Sequence, residues 1–162
     1  MSLRTGSRVA QTLTAIINPN NLKIEGFYCQ DSVDKKQKLI LLYQDIRDII
    51  PQGIVVNDHD VLVQPDELVR LKDILELDFS LIGKPVVTES GEKLGKVSDF
   101  AIETSSMYIQ KLYTSQPLLK NLNGGSMSID RAKIVEITNR KIVVQDILAT
   151  ERTGAIITVP AT

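Results

Sequence analysis

The chain offers few side chains of the kinds that most active sites need. Cys29 is the only cysteine among 162 residues, which excludes an intrachain disulfide and any metal site built from several thiolates. One thiol suits a reducing compartment, and a cytoplasmic protein is expected. Tryptophan is absent, and aromatics are limited to three Phe and four Tyr. A core must therefore rest on Ile, Val and Leu, which favours strands. No apolar run approaches the roughly 18 residues of a spanning helix. The first residues also lack the charged-then-apolar layout of a signal peptide, so direct membrane insertion is not expected. Nineteen basic and 20 acidic residues leave a formal charge of −1, without the basic excess that non-specific nucleic-acid binding uses.

What is present is enough for a folded core: 43% of residues are apolar and 24% charged, a balance unlike that of disordered chains. The chain also repeats itself. "IVVND" at 54–58 returns as "IVVQD" at 142–146, an offset of 88, and the same offset places Ile46-Arg47-Asp48-Ile49 on Ile134-Val135-Glu136-Ile137. "TGSRVAQ" (5–11) sits against "IGKPVVT" (82–88), and Ile24–Tyr28 against Ile109–Tyr113. The matches keep their order, which predicts a duplicated unit. Each half reads as short strands. "RVAQTLTAII" runs into Asn18-Pro19-Asn20-Asn21, a strong turn signal. "LKIEGFYC" alternates, and "KLILLY" is apolar throughout, as in a strand covered on both faces. "GIVVNDHDVLVQ" reads as two strands about Asn57–Asp60. The second half follows with "KPVVTE", "KVSDFAIE", "MYIQKLYT", "GSMSID", "KIVEI" and "KIVVQDI". Many short strands without intervening helices predict small antiparallel barrels, which also remove exposed edges. Between the halves, "QPDELVRLKDILELDFS" predicts a helix. Pro65 suits its first turn, and Leu68, Leu71 and Leu75 form a stripe with Ile74 beside it.

Candidate chemistry is thin. "SGEKLGK" resembles a phosphate-cradling loop, but Gly91 and Gly95 are one residue too close and Val97 replaces the Ser or Thr that would hold magnesium. The strand-like "VSDFAIE" also leaves no helix N-terminus facing the loop. His59 lies in a turn between Asp58 and Asp60, where neighbours seldom converge on a metal, and it reads as a solvated turn histidine. No Gly-x-Ser-x-Gly elbow supplies a nucleophile for a Ser-His-Asp triad. Cys29 reads as a small core or boundary residue, with Gln30-Asp31 an unsuitable setting for a reactive thiol. "DKKQK" (34–38) and "NRK" (139–141) are short basic turns without interleaved aromatics. In "SQPLLKNLNGGSM" (115–127), Leu118, Leu119 and Leu122 either fold back as a cap or form an apolar patch for a partner.

The stretch "LIGKPVVTESGEKLGKVSDFAIE", followed by a second hairpin and "KIVEITNRKIVVQD", resembles the PRC-barrel family. The resemblance rests on Gly-Lys-x-Val, a Gly-rich hairpin, Gly-Lys-Val-x-Asp and then an apolar strand. It covers 81–148 well and 4–63 more weakly, because the first half lacks that hairpin. The resulting expectation is an all-β fold: two small antiparallel PRC-type β-barrels joined by one α-helix. The limits are 1–63 for the first barrel, 64–80 for the helical linker and 81–148 for the second barrel. In the tail at 149–162, residues 155–159 read as one more strand, which either pairs with a barrel edge or stays loose. The family's known settings are the cytoplasmic part of the photosynthetic reaction-centre H subunit and the C-terminal half of the ribosome maturation factor. The resemblance implies a non-enzymatic adaptor without cofactor, catalytic residues or metal. It would dock on a protein or membrane-associated complex, with Leu118, Leu119 and Leu122 as the partner-binding residues. The alternative is a ribosome-associated or RNA-processing accessory factor, and self-association through barrel edges stays open.

Overall fold

The computed structural model describes residues 1–115 and 126–146. The chain divides into two compact units. Unit 1 comprises Met1–Phe79 with Glu103–Tyr108, and unit 2 the remainder from Ser80 onward.

In unit 1, β1 (Ala10–Asn18) and β2 (Lys23–Asp31) form an antiparallel hairpin. The turn between them is tied by Leu22 N–H donating to Asn18 C=O at 2.8 Å. β3 (Lys38–Leu42) pairs with β2. Leu39, Ile40 and Leu41 are all buried, as a strand covered on both faces requires. β2 shows how this double coverage arises. Ile24 is buried near its start, whereas Cys29 is buried near its end with Leu41 and Val56 as neighbours. β4 (Ile46–Ile50) and β5 (Gly53–Val56) form a separate two-stranded sheet about Pro51-Gln52. The expected hairpin about Asn57–Asp60 does not form. A 3-10 turn at His59–Val61 leads instead into the two-residue β6 (Leu62–Val63), which pairs with β3. Glu103–Tyr108 is anchored by Ile24 N–H on Met107 C=O and by the Lys23 ammonium, 3.8 Å from the Tyr43 ring centre and 5.8 Å from that of Tyr108.

The predicted helix is much shorter than 64–80. Two 3-10 turns, Pro65–Glu67 and Val69–Leu71, precede a six-residue α1 (Lys72–Leu77). Leu68, at φ −96° and ψ 69°, interrupts the helical path, and Asp78 ends it in the left-handed region at φ 43°. Leu68, Leu71, Ile74 and Leu75 are half-buried while the residues between them are exposed, and α1 packs on β1.

Unit 2 contains β7 (Pro85–Thr88), most of β8 (Lys93–Glu103) and β9 (Tyr108–Ser115), then β10 (Ser126–Asp130), β11 (Ile134–Ile137) and β12 (Ile142–Val144). Its order is β11–β12–β7–β8–β9–β10, with β12 parallel to β7 and the β11–β12, β7–β8 and β9–β10 ladders antiparallel. Val86, Leu94, Ile109, Leu112, Ile129, Ile142 and Val144 are fully buried. Each such aliphatic side chain contributes about 1.5–3 kcal/mol by leaving water.

The two expected closed barrels are not found. Among the described residues the first sheet path ends on β1 and β6 in unit 1, and the second ends on β11 and β10 in unit 2. Open sheets need protected edges, and bulges provide part of that protection. The register slips at Leu13 in β1, at Arg47 in β4 and at Val135 in β11. Each slip interrupts the row of backbone groups that closure or strand addition would use.

The strand plan also fails to repeat in its pairing. In unit 2 the last hairpin is held by a three-residue parallel ladder, Ile142–Val144 on Val86–Thr88. In unit 1 the hairpin at Ile46–Val56 keeps a sheet of its own and meets the N-terminal residues through one isolated bridge, Ser2 to Val56.

Candidate functional site

The Gly-rich turn between β7 and β8 is closed on itself. Thr88 N–H donates to Glu92 C=O and Gly91 N–H to Thr88 C=O, both at 2.9 Å. Glu92 N–H donates to Thr88 Oγ1 at 3.0 Å, and Ser90 N–H donates to Asp146 Oδ1 at 2.8 Å. The Ser90 amide and side chain hold the Asp146 carboxyl below its ordinary range. These amides are consumed by the turn itself and by Asp146, and a strand rather than a helix follows, so the loop lacks the converging donors of a phosphate cradle. Gly91 and Gly95 lie at φ +90° and +106°, where a side chain would be strained.

Lys84, from the Gly-Lys-x-Val motif, is 9% exposed. Its ammonium donates to Asn139 C=O at 2.8 Å, so it fastens the turn between β11 and β12. Burial pushes its pKa down. The lysine of the motif is thus a brace inside unit 2.

His59 has a partner that local spacing did not show. Its Nε2 lies 2.9 Å from Asp31 Oδ2, with the Asp31 side chain 5% exposed. The flanking Asp58 carboxylate instead accepts from the His59 backbone N–H, from Ser2 Oγ at 3.2 Å and from Arg4 at 3.2 Å. Ser2 Oγ lies 3.2 Å from both Asp58 Oδ1 and Asn57 C=O, and among the described residues no Ser-His-Asp relay is assembled. Asp31 and His59 are 28 residues apart, and only the fold brings them together. The pair pins the end of β2 to the 3-10 turn after β5.

Backbone N–H of Val33 is the chief group holding the Asp31 carboxyl below its ordinary 3.8, and His59 adds to it. A lowered folded pKa means that this stabilisation is present above the unfolded value and is lost as pH falls through the folded one. Asp31→Asn is expected to lower the urea midpoint at neutral pH. The gap to wild type should narrow as pH falls below the ordinary carboxyl value of 3.8, because acid removes from wild type what the variant already lacks. A gap of constant size across that range would contradict the assignment.

Cys29 is buried, donates weakly to Phe27 C=O at 3.5 Å, and has its thiol pKa raised by burial. It forms part of the floor of an open groove of about 550 Å³ in unit 1, beside β1 and β5. Leu118, Leu119 and Leu122 lie outside the described residues. The segment that carries them joins β9 to β10, whose ladder runs from Lys111↔Asp130 to Ser115↔Ser126.

Among the described residues no group of three or more His, Cys, Asp or Glu could hold a metal ion. No described helix is long and apolar enough to cross a membrane.

A family model described as PRC-barrel domain matches residues 75–156. The repeats predict two copies, but the model matches one stretch only, so the tandem pair is not found. No curated protein matches the chain, and nothing ties it to the reaction-centre subunit or the ribosome maturation factor in particular. The matched stretch holds the Lys84 brace, the self-closed Gly-rich turn and the parallel ladder of β12 on β7, whereas the groove and the Asp31–His59 pair lie before it. The chain belongs to the PRC-barrel family, whose members are non-catalytic modules of a fold generally used for protein interaction.

Proposed function

We propose that this protein is a cytoplasmic adaptor that docks on a protein or a membrane-associated complex through the connection between β9 and β10. The observation that carries the reading is the β9–β10 ladder. Five consecutive pairs from Lys111↔Asp130 to Ser115↔Ser126 bring the ends of the connection together. In sequence, Leu118, Leu119 and Leu122 fall between these two strands and inside the stretch matched by the family. Partner contacts are commonly built on a few concentrated apolar side chains, and this stretch of the sequence holds three leucines.

The test compares wild type with a Leu118→Asp, Leu122→Asp double variant in a pull-down. The recovered partner is then purified and titrated directly. A partner bound by wild type and weakened at least tenfold by the double variant supports the reading, since two central apolar anchors are worth at least 1.4 kcal/mol. Equal binding of every partner by both proteins would remove these leucines from the interface. Binding to ribosomal particles that falls steeply with salt would move the protein to the ribosome-associated alternative.

A further inference from the structure

The groove in unit 1 has a chemical character of its own. Cys29, Leu41 and Val56 are buried together beneath it, and Val9, Ile54 and Leu62 pack against them. Arg8, Gln11 and Gln52 also line it and are exposed. No lining residue is acidic, and Arg8 makes no ion pair among the described residues. The nearby carboxylates are committed elsewhere, Asp31 to His59 and Asp58 to Arg4. The lining combines apolar side chains with Thr12, two amides, the Arg8 side chain and Met1, whose ammonium donates to Ile54 C=O at 2.8 Å; it is complementary to a molecule with an apolar body and a single anionic end. The volume of about 550 Å³ falls within the usual range for small-molecule sites.

We propose that this groove binds an amphipathic carboxylate of medium chain length. The hydrocarbon lies over Cys29, Leu41 and Ile54, and the carboxylate meets the Arg8 guanidinium, with the Gln11 and Gln52 amides available as further donors. Arginine suits this role because its planar fork matches a carboxylate with two hydrogen bonds. The site lies outside the family match.

The experiment titrates the full chain with decanoate below its micelle concentration and follows backbone amide resonances by NMR. Decanol and decyltrimethylammonium serve as matched neutral and cationic probes. Saturable shifts centred on Cys29, Leu41 and Ile54, with decanoate at least tenfold tighter than either matched probe, support the site. Arg8→Glu and Gln11→Glu each change an exposed residue and should weaken decanoate at least tenfold while leaving the resonances of unit 2 in place. No saturable shift, equal binding of all three probes, or unchanged decanoate affinity in Arg8→Glu would each overturn the proposal.

Discussion

Gly26→Ala is expected to cost about 3 kcal/mol of folding free energy, a large loss for the addition of one methyl group. A Cβ built on Gly26 would lie 2.5 Å from Leu41 C=O and 3.3 Å from Leu42 Cα. Both obstacles are backbone, so no rotamer change can relieve the clash. Relief would require β2 and β3 to part where Gly26 faces Leu42 and Phe27 faces Leu41. Leu41 belongs to the buried Cys29–Leu41–Val56 group, and a shift of β3 would loosen that packing as well. Gly91→Ala is the proper comparison. Gly91 has a positive φ of 90° but nothing within 4 Å of the added carbon, so only backbone strain of about 1 kcal/mol is expected. Urea denaturation of the three proteins separates the effects. A Gly26→Ala midpoint equal to that of Gly91→Ala would show that β2 and β3 do not approach this closely.

The contrast also shows what could be read from the sequence. The sequence shows Gly26 as a glycine within a strand-like run, where close backbone approach or a bulge is common, but it does not show its neighbour. Leu41 lies 15 residues away, and no local pattern selects it. The strands β7, β11 and β12 were legible because each is a short β-branched run close to Gly, Asn or Asp, and those signals act within a few residues. The hairpin of β4 and β5 was misplaced because "NDHD" is a strong turn signal that the structure uses otherwise. Asp58 caps a 3-10 turn with its carboxylate on the His59 N–H, and Pro51-Gln52 makes the reversal instead. Leu68, Leu71 and Leu75 are each half-buried, but the single helix expected over 64–80 is broken at Leu68 by backbone angles that composition does not encode.

Closure of the sheets was the least legible feature. Barrel formation depends on pairing between strands distant in sequence, and the edge bulges at Leu13, Arg47 and Val135 carry no signal of their own. The repeats misled for the same reason. Similar letters predict similar strands but do not specify which strands hydrogen-bond. The Asp31–His59 pair is again a product of the fold, because the two acids nearest His59 in sequence were the natural candidates and neither receives its ring.

Leu112→Ala and Thr114→Val should behave in opposite ways although both residues lie on β9 and both are fully buried. Leu112 faces Ile129 on β10, itself fully buried. Truncation removes three carbons from a site that neighbouring β-ladders prevent from collapsing, so a loss of about 3–4 kcal/mol is expected. Thr114 has the same burial but a different chemistry. Its Oγ1 has no hydrogen-bond partner among the described residues, and a buried hydroxyl without one costs about 1–3 kcal/mol relative to water. Valine keeps the branched shape and β-propensity while removing that oxygen. Thr114→Val is therefore expected to be neutral or to stabilise by up to about 1 kcal/mol, read from the urea midpoint. A loss comparable to that of Leu112→Ala would mean that the hydroxyl is hydrogen-bonded in solution. The connection between β9 and β10 begins two residues further along the chain, and it would be the first place to seek that partner. The double variant Leu118→Asp, Leu122→Asp distinguishes the two cases. If the connection satisfies Thr114, the aspartates lower stability in the Thr114 background more than in the Thr114→Val background. If the leucines serve only a partner, the two backgrounds respond alike.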